Sequence, residues 1–133
     1  GKNYDVMKVS DLLITKSGTS TLEAAIIGIP MIIIYKSSMI SYYLAKSLVN
    51  VSYAGLPNLL AGKEVAPELL QFKAKAKNIA EKALSLLEEK LLDERGINNG
   101  LSQMRDELKL IKYSLGESGA SRRAATIIIE YLK

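Results

Sequence analysis

The amino-acid sequence predicts an α/β fold in which a short parallel sheet is followed by several helices. Two short apolar runs, over residues 12–14 and 31–35, are bounded by polar or turn residues, as strands buried on both faces of a parallel sheet are. Between these runs, apolar residues recur at three- and four-residue spacing, and Gly28 and Pro30 supply the end of a helix. This order of strand, turn, helix and strand is the unit of a parallel sheet.

The rest of the sequence predicts one more short strand and a succession of helices. A helix over 39–49, whose only charge is Lys46, is followed by a strand over 51–54, turn residues 55–58 and a loop over 59–62. A helical stretch then begins at Glu64, with Pro67 in its first turn. Helices are predicted over 79–91, 101–115 and 124–131, with Gly96 after the first and Gly116 after the second. The second half therefore indicates helical packing and shows no visible chemistry.

The length of 133 residues corresponds to about one domain. We expect residues 1–133 to form a single α/β domain, with the strands and the site in 1–62 and a helical part in 63–133. A doubly wound sheet normally has about five or more strands, which is more than this sequence offers. The first residue is Gly1, and a strand follows within about a dozen residues. We therefore expect a part of a larger enzyme, truncated at its N-terminus.

The composition excludes several kinds of site. The sequence has no His and no Cys, which removes Ser-His-Asp triads, cysteine nucleophiles, thiolate or imidazole zinc sites and disulfides. A net charge of +4 favours an anionic ligand or surface, although a solvated basic face explains it as well. One Phe and no Trp argue against nucleic-acid binding. No apolar run reaches the ~18 to 20 residues of a membrane span, so a cytoplasmic protein is the default, and neither a cofactor nor a metal is implied.

A polar turn follows the first predicted strand. Ser17, Gly18 and Thr19 lie where ligands collect in parallel sheets, beyond the carboxyl end of a strand and at the start of a helix. The amide N–H groups of the first helical turn and the helix dipole favour a phosphate or diphosphate, and the hydroxyls of Ser17, Thr19 and Ser20 add uncharged donors. Glu23, about one turn further, could accept hydrogen bonds from ribose hydroxyls.

A structural explanation of the same spacing stays open. A Ser or Thr N-cap followed by Glu three or four residues later is a capping box, which serves helix stability only.

Three separated segments of the sequence, SDLLITKSGTSTLEAAIIGIPMIIIYK, LAKSLV and LPNLLAGKEVAPELLQ, resemble the C-terminal half of lipid-A-disaccharide synthase. They lie within a run over residues 6–71 that resembles the family. The resemblance implies the C-terminal Rossmann-like half of a GT-B glycosyltransferase. Enzymes of this family transfer 2,3-diacylglucosamine from UDP to 2,3-diacylglucosamine 1-phosphate with inversion and release UDP. They are peripheral proteins at the cytoplasmic face of the bacterial inner membrane.

The resemblance also assigns site residues. Ser17, Gly18 and Thr19 match the family's SGT turn and would lie at the diphosphate, and Glu23 of its LE pair would hold the ribose. Asn58 matches a motif that lines the cleft, where its amide could bond the donor, although an Asx-type turn after Pro57 is the structural alternative.

Three further residues match the family less closely. Tyr35 and Lys36 match a Tyr-Arg or similar pair and would be phosphate-side contacts, unless Lys36 is a solvated loop residue. Lys63 stands where many relatives carry Arg. A two-point contact of a guanidinium group there would become a contact of a single ammonium group.

The resemblance implies a donor-binding half that holds UDP-2,3-diacylglucosamine, with the general base and most of the acceptor site in the missing N-terminal half. The catalytic residues are therefore unknown, and the chain alone should bind UDP weakly and turn over nothing. The lipid acceptor 2,3-diacylglucosamine 1-phosphate gives the helix over 39–49 a possible role at acyl chains or the membrane surface. A buried core or a subunit contact is the simpler explanation.

Two rival hypotheses remain from the sequence. Another GT-B enzyme that uses a UDP-sugar, such as a peptidoglycan N-acetylglucosaminyltransferase or a UDP-sugar 2-epimerase, shares the Ser-Gly turn and the ribose Glu, although LPNLLAG argues against it. The other is a non-catalytic interaction module in which helices 97–115 and 119–132 mediate assembly, including a homo-oligomer.

Overall fold

The computed structural model describes residues 2–38, 52–93, 100–116 and 119–132. The elements in chain order are α1 (Lys2–Lys8), β1 (Leu13–Lys16), α2 (Thr19–Ile27), β2 (Met31–Tyr35), α3 (Leu56–Ala61), β3 (Glu68–Leu70), a 3₁₀ turn (Gln71–Lys73), α4 (Ala76–Asp93), α5 (Gly100–Ser114) and α6 (Ala120–Tyr131). The predicted helix over 39–49 and the predicted stop at Gly96 lie outside the described residues.

The strands form a parallel sheet, which confirms the predicted fold class. Within the described residues the sheet has three strands in the order β1-β2-β3. Ile14 is paired with Ile32 in the β1–β2 register, and Ile33 is paired with Glu68 in the β2–β3 register. Since parallel strands end at the same edge, the segments after β1, β2 and β3 all leave the sheet on one side.

The β1–α2–β2 unit follows the prediction closely. Helix α2 ends at Gly28, which has the left-handed conformation (φ 85°) and donates its N–H to the carbonyl oxygens of Ala24 and Ala25. Glycine adopts this conformation without a steric penalty, and Pro30 cannot continue the helix. The two residues therefore stop α2 and deliver the chain to β2.

The third strand is not where the sequence placed it. Residues 52–54 are not a strand, so the predicted strand over 51–54 is wrong, and β3 lies instead at Glu68–Leu70. Residues 64–70 are therefore not helical. Pro67 precedes a strand, and its carbonyl oxygen accepts a hydrogen bond from Ile33 N–H at 2.9 Å. A three-residue strand that begins with a carboxylate shows no period that a sequence pattern could detect.

Residues 55–62, predicted as a turn and a loop, contain a helix. Helix α3 begins after Gly55, has Pro57 in its first turn, and ends at Gly62 with φ 66°. Proline suits this place because its fixed φ matches the helix and its missing N–H would have no helical partner. Six residues are too few for a helical hydrophobic period, so the turn residues dominated the prediction.

The long helices agree with the sequence. Helices α4, α5 and α6 contain the predicted stretches over 79–91, 101–115 and 124–131, apart from Leu115 one residue beyond α5. Helix α1 was not predicted, and β3 lies within the part, 63–133, that was expected to be helical.

The core lies between the sheet and the helices α2, α3 and α5. Helix α2 packs against α3 and α5, and Met31 N–H points at the sulfur of Met104 at 3.2 Å. Burial of these apolar side chains is the main stabilising contribution. The buried hydrophobic residues are Ala24, Ala25, Met31, Ile32, Ile33, Val65, Ala66, Leu86, Leu101, Met104, Leu108 and Ile111.

Apolar side chains of β1 and α6 are among those that remain exposed in the described part of the chain. In β1, which was expected to be buried on both faces, Ile14 is 53% exposed, so that expectation is wrong. Strand β1 forms one edge of this sheet, and only the face of Leu13 and Thr15 is half-buried. Helix α6 has no buried residue among those described.

Within the described part of the chain, no helix has the length and apolarity that crossing a bilayer requires.

Candidate functional site

The Ser17–Thr19 turn lies at the carboxyl edge of the sheet, between the ends of β1 and β2. Ser17 N–H donates to Ile34 O at 2.9 Å, which joins the turn to the last residues of β2. Gly18 has φ 155° and ψ −165°, a conformation that residues with a Cβ avoid. A Cβ built at Gly18 would meet no atom within 4 Å, so the backbone of the turn opens onto free space.

The N-terminus of α2 has no side-chain cap. Its N-cap residue is Gly18, and no side chain among the described residues bonds to the first helical N–H groups, so the capping box is wrong. Within the described residues, the N–H groups of Gly18, Thr19 and Ser20 donate no hydrogen bond, while Thr21 N–H bonds to Gly18 O at 3.1 Å. Unpaired amides at a helix N-terminus, with the helix dipole behind them, bind anions.

The hydroxyls of the turn hold its shape instead of facing outward together. Ser17 Oγ donates to Ala54 O at 2.6 Å, and Ser20 Oγ donates to Lys16 O at 3.2 Å. Thr19 is exposed, and its hydroxyl has no partner in the described part of the chain. Of the expected hydroxyl donors, only the one on Thr19 is therefore uncommitted, and the backbone amides are the principal donors.

Three other predicted residues surround the turn. Glu23 is half-buried in α2, four residues after Thr19 and hence on the same face of the helix. Tyr35 is the half-buried last residue of β2, and Lys36 is exposed just beyond it. Since Lys16 is paired with Ile34 in the β1–β2 register, the segments that follow the two strands lie side by side. The structure thus brings the turn, Tyr35 and Lys36 to one edge.

Asn58 is fully buried in α3 and uses its whole hydrogen-bonding capacity inside the protein. Its Nδ2 donates to Ala66 O at 2.7 Å and to Glu68 Oε1 at 2.8 Å. Its Oδ1 accepts from Val65 N–H at 2.8 Å and from Ala66 N–H at 2.9 Å. Both N–H groups of the amide are thus used within the protein. The role of Asn58 in these contacts is structural, but its partners lie seven to ten residues further along the chain, so the expected Asx-type turn is wrong.

Glu68 was missed by the sequence analysis. Its carboxylate accepts hydrogen bonds from the N–H groups of Ala54 and Gly55, each at 2.8 Å, in addition to the bond from Asn58. The only signal in the sequence was a charged residue at the start of a short apolar run, and it was assigned to a helix.

Gln71, after β3, also lies at this edge. It has φ 50°, a left-handed conformation that is uncommon for residues other than glycine. Its buried amide accepts from Ser37 N–H at 3.2 Å and donates to Ser37 Oγ at 2.8 Å. The loop after β2 is thereby fixed to the end of β3.

Lys63 lies apart from the turn. Its Nζ pairs with Glu107 Oε1 at 2.7 Å, and the Lys63 side chain is 58% exposed. Both residues line a pocket of about 180 Å³ between the segment after α3 and helix α5. None of the other candidate residues lines this pocket, so the structure does not bring Lys63 together with them.

The comparisons with known proteins agree on one family. The profile of the family described as lipid-A-disaccharide synthetase matches residues 1–120. The chain is 44% identical over 126 residues to the lipid-A-disaccharide synthase of Sulfurihydrogenibium sp. and 42% identical over 129 residues to that of Geobacter sulfurreducens. These alignments cover 95% and 97% of this chain but 30% and 32% of the relatives, so the chain spans about a third of their length. The chain belongs to the lipid-A-disaccharide synthase family.

Proposed function

We propose that the chain forms the UDP-binding part of an inverting glycosyltransferase, which transfers 2,3-diacylglucosamine from UDP to 2,3-diacylglucosamine 1-phosphate in lipid A biosynthesis. Membership of the family supports the reaction class, since the relatives are named lipid-A-disaccharide synthase. The site supports the assignment of UDP binding to this chain and of the base to another part of the enzyme, because the described residues offer hydrogen-bond donors for an anion and no evident general base.

The uncapped start of α2 is the observation that carries the proposal. The N–H groups of Gly18, Thr19 and Ser20 donate no hydrogen bond within the described residues, and Gly18 has free space above it. The diphosphate of UDP supplies oxygens for these donors. In the transfer, the bond between the anomeric carbon and the β-phosphate oxygen breaks, and negative charge develops on that oxygen. Fixed amide dipoles stabilise such charge without reorganising during the reaction.

The neighbouring side chains fit the rest of a nucleotide. Glu23 is on the same face of α2 as Thr19, and we assign it to the ribose hydroxyls. Tyr35 and Lys36 leave β2 beside the turn, and the ammonium group of Lys36 adds the positive charge that the amides lack. Asn58 and Ser17 support the site through buried and part-buried hydrogen bonds to other segments, and Ser17 also belongs to the turn.

The catalytic base belongs, in this proposal, to the longer protein. Inversion requires the acceptor hydroxyl to attack the anomeric carbon on the face opposite UDP, while a base removes the hydroxyl proton. Glu23 is assigned to the ribose, and Glu68 is held by three N–H groups. The N-terminal half therefore supplies the base and most of the acceptor site, with the complete enzyme working at the cytoplasmic face of the inner membrane.

An NMR titration of the chain with UDP tests the donor site, with CMP and inorganic phosphate as controls. We expect shifts in Ser17–Glu23, Tyr35 and Lys36 that are larger for UDP than for either control. The absence of shifts at millimolar UDP, both in this chain and in the full-length enzyme, would contradict the proposal.

The reaction itself is tested on the full-length enzyme with matched donors. Product should form from UDP-2,3-diacylglucosamine and not from UDP-N-acetylglucosamine. A preference for the simple donor would favour another GT-B enzyme. Product from the isolated chain would contradict the assignment of the base to the N-terminal half.

A further inference from the structure

The N–H groups that precede α2 and α3 differ in their partners. The amides of Gly18, Thr19 and Ser20 at the start of α2 donate no hydrogen bond within the described part of the chain, whereas the two amides that immediately precede α3 donate to a carboxylate of the protein. Ala54 N–H donates to Glu68 Oε2 and Gly55 N–H donates to Glu68 Oε1, both at 2.8 Å. Glu68 thus holds the segment that leads into α3, while no side chain among the described residues caps the first turn of that helix.

The charge of Glu68 is compensated by N–H groups. Asn58 Nδ2 is its third donor, at 2.8 Å, and no Lys or Arg of the described residues forms a salt bridge with it. A half-buried carboxylate held by several N–H groups makes hydrogen bonds that are stronger than neutral ones. Removing its charge therefore affects every group bonded to it.

One peptide group connects Glu68 with the turn. The peptide between Ala54 and Gly55 donates its N–H to Glu68, and its carbonyl oxygen accepts the Ser17 hydroxyl at 2.6 Å. A charge-assisted bond at the N–H polarises the peptide, which makes its carbonyl oxygen a stronger acceptor. The short Ser17–Ala54 bond is thus linked to the carboxylate across a single peptide plane.

Close packing fixes this peptide in place. A Cβ at Gly55 would overlap the Ile33 side chain and lie 3.1 Å from Glu68 Oε1. Ile33 is fully buried in β2, opposite Glu68 in the register. Only glycine lets the backbone approach both residues, so the contact between the segment and Glu68 is direct and rigid.

From these contacts we infer that Glu68 is a positioning residue for the nucleotide: through the Ala54–Gly55 peptide and Ser17, its carboxylate sets the shape of the Ser17–Thr19 turn. This inference rests on the proposed function, because the nucleotide at the turn is part of that proposal. The coupling between Glu68 and the turn depends only on contacts within the protein, so it can be tested without ligand.

The test uses the full-length protein with Glu68→Gln, Ser17→Ala, the double variant, and Glu64→Gln as the control. Glu64 lies in the same connection but is exposed. The Gln variant keeps the shape of Glu68 but presents an NH₂ group to one of the backbone donors. Hydrogen exchange of peptides spanning 15–22 and 52–58 is measured without ligand, and UDP affinity is measured by calorimetry.

We expect Glu68→Gln to speed exchange in both peptides and to weaken UDP binding about tenfold, the effect of losing one charge-assisted hydrogen bond. In the Ser17→Ala background, the same change should weaken binding less than about twofold, since the connection is already broken. Glu64→Gln should match the wild type.

If Glu68→Gln speeds exchange only in 52–58 and leaves UDP affinity unchanged, the inference is overturned. It is also overturned if the dissociation constant of the double variant rises by the product of the two single-variant factors, since the two residues then act independently. If Glu68→Gln does not fold, Ser17→Ala tests the coupling from the other end: it must speed exchange in 52–58. If the variants show the expected changes in exchange but the wild-type protein binds no UDP, the proposed function and the nucleotide role of Glu68 are refuted, while the structural coupling stands.

Discussion

Replacing Asn58 by alanine should be among the most destabilising single changes in this chain. The side chain is fully buried and makes four hydrogen bonds, two as donor and two as acceptor. Each intramolecular hydrogen bond contributes a net stability of about 1 kcal/mol. Asn58→Ala should therefore lower the free energy of unfolding by about 4 kcal/mol, since Val65 N–H and both backbone groups of Ala66 lose their partner in the interior.

Asn78→Ala is the matched control. The Asn78 side chain makes one hydrogen bond within the described residues, to Lys73 O at 3.0 Å in an exposed setting, so its replacement should cost about 1 kcal/mol or less. Urea unfolding of the two variants and the wild type, followed by circular dichroism, measures the difference. With a slope of about 1–3 kcal/mol/M, Asn58→Ala should lower the urea midpoint by roughly 1–4 M. Variants that differ by less than about 1 kcal/mol would show that the Asn58 network does not hold α3 and β3 together.

Three other changes have distinct expected results. Gly18→Ala should weaken UDP binding about tenfold or more, because alanine resists φ 155° and its methyl group enters the ligand space; unchanged titration shifts would contradict the site. Gln71→Ala should destabilise the chain by about 1 kcal/mol more than Gln71→Gly, since both lose the Ser37 bonds but only glycine relieves φ 50°; thermal unfolding decides, and a less stable glycine variant would refute the strain. Lys63→Ala should change stability by less than about 1 kcal/mol, because the Lys63 side chain of the ion pair with Glu107 is 58% exposed. It should leave UDP affinity unaltered, because Lys63 lines a pocket apart from the turn; a large loss of UDP affinity would return Lys63 to the site.

Strong local patterns made the β1–α2–β2 unit predictable. Its buried strand β2 is a continuous apolar run, and Gly28 and Pro30 end α2 through their own backbone preferences. The Ser17–Thr19 turn followed from the same unit, because a parallel strand that leads into a helix leaves its polar turn at the carboxyl edge.

Short elements and distant contacts were not predictable. Helix α3 and strand β3 have six and three residues, too few for a period to emerge. The choice between a capped helix and an open one also depended on the fold, because Ser17 bonds to Ala54, 37 residues away, instead of capping α2. No rule of sequence spacing relates these two positions.

The sequence by itself determined that this is an α/β chain with a glycine turn at a strand end and without histidine or cysteine chemistry, because these properties depend on composition and on short-range order. Its motifs also indicated the family. The tertiary structure alone decided that β3 is the neighbour of β2 and that Asn58 is buried. It also decided that Glu68 holds the peptide that Ser17 bonds. Hydrogen bonds between distant segments form only when packing brings them within about 3 Å, and no local preference encodes that approach.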